Sequence, residues 1–71
     1  MPDEKYISKD EFVKRAIAAV GKDYGIGHMA TVAFENETSY GAGQKELKKA
    51  IEHVERTKSS DAIHQIVGKY D

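Results

Sequence analysis

Cysteine is absent from the 71 residues, tryptophan is absent as well, and there is a single proline. Without cysteine a disulfide staple, a thiolate zinc site and a thiol nucleophile are all excluded. Long apolar runs are missing too. The longest, Ala16 to Val20, falls far short of the ~18 residues that a membrane span needs. No stretch has the order of charged, apolar and small residues that marks a signal peptide. The expectation is therefore a cytoplasmic protein with no membrane contact, and the sequon Asn36-Glu37-Thr38 is read as chance. An excess of one charge is also lacking: 11 Lys+Arg face 12 Asp+Glu, for a formal charge of −1. A general nucleic-acid binder is usually basic overall, so this balance disfavours one, although a local basic face is compatible with it.

What is present describes one domain over residues 1–71, with the polar residues 1–6 expected to be disordered. Below roughly 80 residues a single core rarely supplies more than a few kcal/mol. A homodimer that buries further apolar area is therefore expected.

Three segments carry helix signals. In "ISKDEF", Ser8 precedes Glu11 by three residues, the spacing of a reciprocal capping box, and Ile7 and Phe12 stand at the two positions of a hydrophobic staple. Phe12, Val13, Ala16, Ile17 and Val20 follow helical spacing, and Gly21 can take the left-handed conformation that ends a helix. In "QKELKKAIEHVERTK", Leu47, Ala50, Ile51 and Val54 fall at i, i+3, i+4 and i+7. Gly43 is a tolerable cap for this helix. Lys48–Glu52 and Glu52–Arg56 are spaced as i,i+4 ion pairs on its wet face. After "KSS", Ser59 or Ser60 caps a short helix with the stripe Ala62, Ile63, Ile66 and Val67, and Gly68 ends it.

The middle, "GIGHMATVAFENETSYGAG", is the ambiguous part. His28, Ala30, Val32 and Phe34 alternate with Met29, Thr31, Ala33 and Glu35, which is strand spacing. The β-branched pair Thr31-Val32 and aromatic Phe34 favour a strand. Met29, Val32 and Ala33 also fit one helical face. The fold class expected is α+β, in the order helix, strand or hairpin, helix, short helix, with an all-α bundle of three to four helices as the alternative. Met29, Thr31, Ala33 and Phe34 would then form a strand that is apolar on both faces and pairs with a partner or with a second copy.

Few residues point to chemistry. "SYGAGQKE" runs into a helix N-terminus, so Gly41, Gly43 and Lys45 could form an anion-binding loop. The commoner reading of such glycines is a tight turn and a cap. "GIGHMA" has the glycine spacing of a dinucleotide fingerprint but lacks the strand before it and the helix after it. His53 and His64 have no i,i+4 ligand partner, so no metal is expected. No cofactor is expected, and no nucleophile and base can be paired from spacing, so the chain is not read as an enzyme.

Two functions remain. The favoured one is a small non-enzymatic protein-binding or regulatory module. In the other, the order from Ala30 onward, strand, helix, polar turn and helix, resembles a ribbon-helix-helix protein, and "KSSDAIHQIV" resembles the second helix of that family. The resemblance implies a dimeric DNA-binding regulator whose paired strands enter the major groove. The outward strand residues would be Met29, Thr31 and Ala33, which lack the Arg, Lys, Gln or Asn side chains that usually read bases.

Overall fold

A computed structural model describes residues 7–21, 25–39 and 44–69. These form four helices: α1 (Lys9–Val20), α2 (Ile26–Ser39), α3 (Gln44–Thr57) and α4 (Asp61–Lys69). No strand occurs among the described residues. The expected α+β fold is thereby corrected to the all-α alternative.

α1 begins as its sequence implies. The Glu11 N–H donates to Ser8 Oγ at 3.1 Å, and Ile7 and Phe12 are both buried in one core cluster. Only the forward half of the capping box is formed. The Glu11 carboxylate turns instead towards Arg15, at 3.8 Å. Gly21, at φ +103°, ends the helix, and its N–H donates to the Ile17 carbonyl at 2.7 Å. That positive φ is open to glycine and strained for other residues.

α2 is where the sequence reading fails. Residues 28–35, expected as a strand, are helical throughout. Their burial shows why. Ile26, Ala30, Ala33 and Glu37 are buried, at spacings of four, three and four, which is one helical face. Half of that stripe is alanine and its last member is a carboxylate, so its apolar signal is weak beside the alternation of Val32 and Phe34. The β-branched residues are accommodated locally. The Thr31 hydroxyl donates to the Gly27 carbonyl at 2.8 Å, and that of Thr38 to the Phe34 carbonyl at 3.0 Å. Such back-bonds to residue i−4 are compatible with a helix. Phe34 packs on Phe12 of α1, with ring centroids 5.8 Å apart and planes inclined at 56°. At Gly27 a Cβ would sit 3.4 Å from Ile17 Cδ1, so the two helices approach closely there.

α3 buries Leu47, Ala50, Ile51 and Val54, as its spacing implies. Lys58 follows it at φ +59°, and its N–H donates to the Val54 carbonyl at 2.8 Å. The Ser59 hydroxyl then accepts from the Asp61 N–H at 3.2 Å and starts α4. Gly68 does not end α4, which continues through it to Lys69.

The helices close into a ring pinched across one diagonal. α1 packs against α2 and α3, α4 packs against α2 and α3, α2 also touches α3, and α1 and α4 do not meet among the described residues. The core lies inside this ring, from Phe12 and Ala16 on α1 to Ile63 and Ile66 on α4. None of these helices is long and apolar enough to cross a membrane.

Candidate functional site: a cleft between α2, α3 and α4

A depression with a volume of about 390 Å³ lies between α3, α4 and the C-terminal half of α2. Its base comes from Ala50 of α3, Ala62 and Ile66 of α4, and Glu37 of α2. Ala50 and Ile66 are buried and Ala62 is partly exposed. The rim is polar and exposed: Glu46, Lys49 and His53 on α3, and Gln65 on α4.

Each element places its side chains for a local reason. On α3, the stripe Leu47–Ala50–Ile51–Val54 turns inward, which carries Glu46, Lys49 and His53 to its edge and surface. On α4, burial of Ile63 and Ile66 leaves Gln65 facing out. Small alanines at positions 50 and 62 keep the groove open. Glu37 is the only fully buried charged residue described. A carboxylate withdrawn from water is costly unless it is engaged, and Glu37 has an interaction partner of its own. At the rim, Arg56 Nη2 stands 3.4 Å from His53 Nδ1. When Arg56 donates there, the remaining His53 ring proton sits on Nε2.

Two cations of α1 are paired with carboxylates of other helices. Arg15 makes a forked pair with Glu55, Nε to Oε2 at 2.8 Å and Nη2 to Oε1 at 2.7 Å. The Glu55 carboxyl is held below its ordinary value, first by these hydrogen bonds from Arg15, with partial burial opposing. The same bonds to Glu55 raise the Arg15 guanidinium further above its ordinary value, again against partial burial. Lys9 pairs with Glu35 at 3.2 Å. By contrast, the i,i+4 pairs Lys48–Glu52 and Glu52–Arg56 expected from spacing are not closed among the described residues.

The site residues expected from sequence lie elsewhere. Met29, Thr31, Ala33 and Phe34 share no strand. Ala33 is buried in the core, Met29 and Phe34 pack partly against it, and the Thr31 hydroxyl is spent on Gly27. The two-faced strand expected for partner or dimer pairing is therefore corrected to a helix with one inward face. The ribbon that the ribbon-helix-helix resemblance requires is lost with it. Gly41 and Gly43 of the expected anion-binding loop lie outside the described residues, and Lys45 is exposed in the first turn of α3. Sequence reasoning missed Glu37 and Gln65 altogether. The signal for Glu37 was its spacing from Ile26, Ala30 and Ala33.

Among the described residues no group of three or more His, Asp or Glu side chains is gathered as a metal site would require. No family model, curated protein or solved structure matches this chain.

Proposed function

We propose that this chain is a small non-enzymatic protein-binding or regulatory module whose partner seats in the cleft between α3 and α4. The observation that carries this reading is the construction of the cleft: buried apolar atoms of Ala50 and Ile66 at the base, and exposed hydrogen-bonding groups of Lys49, His53 and Gln65 around it. An apolar centre with a polar rim is the general anatomy of a protein interface. The volume of about 390 Å³ is at the small end of the range for binding pockets, and it suits a few side chains of a partner. Catalysis is the weaker reading, because a rim of exposed side chains does little to exclude water from a reacting group.

Photo-crosslinking in extract of the source cells tests the proposal. A crosslinking residue replaces Gln65 at the cleft or Lys14 on α1, both of which are exposed. A defined protein joined from position 65 and not from position 14 is the expected result. Equal labelling from both positions, or none from position 65, would overturn it.

A further inference from the structure

Along the exposed side of α3 run Lys45, Lys49, His53 and Arg56. At 3.6 residues per turn these positions fall within an arc of about 80°. Glu46 and Glu52 border that arc on either side. None of Lys45, Lys49 and Arg56 forms an ion pair with a described residue, whereas Lys9 and Arg15 on α1 both do. Lys14 on α1 is likewise outside these pairs, but three such cations share one arc of α3, and the same stripe supplies Lys49 and His53 to the rim of the cleft.

We propose that the partner of this cleft is an acidic, aliphatic-anchored segment of a protein. This rests on the binding-module reading above and gives the partner its chemistry. A Leu, Ile or Val side chain of the segment covers Ala50, Ala62 and Ile66. An Asp or Glu carboxylate meets Lys49 Nζ and the Arg56 guanidinium, with the His53 ring between them as a further donor. Glu37 and Glu46 also line the cleft, so the carboxylate is directed along α3 towards Arg56 and away from the Glu46 end. Charge of this kind steers encounter and orientation more than it adds raw affinity. The apolar base is what supplies contact area.

The probe is a library of random short peptides displayed on phage and selected against the full chain. Selected peptides are then titrated into isotope-labelled protein. The expected result is enrichment of Asp or Glu together with Leu, Ile or Val, and movement of the amide resonances of residues 46–53 and 62–66. Lys49→Glu with Arg56→Glu, both at exposed positions, should weaken such a peptide by about tenfold or more at low salt. Circular dichroism checks that this variant keeps its helices. Peptides that move the same resonances but are basic or uncharged would overturn the acidic partner while leaving the binding module standing. Peptides that map elsewhere, or no selected peptide, would overturn the inference. RNA or duplex DNA that moves these resonances and is released steeply by salt would replace the protein segment with a phosphate backbone.

Discussion

Gln44, the first residue of α3, grips the backbone of Ile7 from both sides. Its Nε2 donates to the Ile7 carbonyl at 3.1 Å, and its Oε1 accepts from the Ile7 N–H. The amide thus ties the chain just ahead of α1 to the start of α3, and it does so beside the fully buried Ile7 side chain. Gln44→Ala removes both bonds and leaves two part-buried backbone groups to find other partners. At about 0.5–1.5 kcal/mol per hydrogen bond, the loss in a urea melt should be on the order of 1–3 kcal/mol. Gln44→Glu keeps the acceptor and loses the donor, so it should fall between the two. A Gln44→Ala protein as stable as the parent would show that the clamp contributes nothing.

The half-formed capping box makes Ser8 and Glu11 unequal. Ser8→Ala removes the oxygen that accepts from Glu11 N–H and should cost about 1 kcal/mol. Glu11→Ala removes only an exposed contact with Arg15 at 3.8 Å, worth about 0.3–0.5 kcal/mol for an i,i+4 pair. The two losses should add in the double variant, because no bond joins the side chains. Strong coupling in a double-mutant cycle would show that the Glu11 carboxylate does return to the Ser8 N–H.

Gly68 sits inside the last turn of α4 at a helical conformation, with open space where a Cβ would be. Gly68→Ala should therefore stabilise the protein, by up to about 1 kcal/mol through helix propensity and the smaller entropy of the unfolded chain. Gly25 also has open space, but its φ is +67°. Gly25→Ala should destabilise. Thermal melts that move in the same direction for both variants would contradict this.

Three of the four helices were legible because their buried faces carry large apolar residues at regular spacing. Phe12 and Ala16, Leu47 and Ile51, and Ile63 and Ile66 each mark a face at helical intervals. α2 was not legible for a physical reason. Its inward face uses Ala30 and Ala33, small enough to let the neighbouring helices close in, and then Glu37, which no apolar pattern includes. Its larger side chains, Met29, Val32 and Phe34, lie on its flanks and imitate a strand. The cleft inherited this difficulty. Lys49 and His53 were visible as exposed residues of α3, but a depression between three helices depends on how they pack, and one of its lining residues belongs to the misread element.

The Arg15–Glu55 fork makes stability depend on acid pH. Its hydrogen bonds hold the folded Glu55 value below that of the unfolded chain. The stabilisation is therefore complete above the ordinary glutamate range and is lost as pH falls through the lowered folded value. Both side chains remain about one-third exposed, at 32% and 37%, so solvent screens the pair and its effect should be modest. Glu55→Gln should flatten the fall in stability on acidification while leaving neutral-pH helicity intact. An unchanged acid limb in urea melts would mean that other carboxylates set it.

The strongest test of α2 uses two residues that a strand would treat alike. In a strand, Thr31 and Ala33 point to the same face, so a lysine at either position would meet the same surroundings. In a helix, two residues are separated by about 200° of rotation. Here Thr31 is partly exposed, in the α1–α2 groove it shares with Lys9, Asp10 and Lys14, while Ala33 is fully buried. Thr31→Lys gives up the hydroxyl bond to Gly27, while its charge reaches solvent among groups of both signs, so it should cost about 1 kcal/mol. Ala33→Lys forces a long cation into the centre of the ring. It overpacks the core and buries a charge, mechanisms that give losses on the order of 4 kcal/mol or more. A domain of this size has little beyond that to lose. Circular dichroism at neutral pH should show Thr31→Lys folded and Ala33→Lys largely unfolded. Equal effects of the two substitutions would contradict the helix.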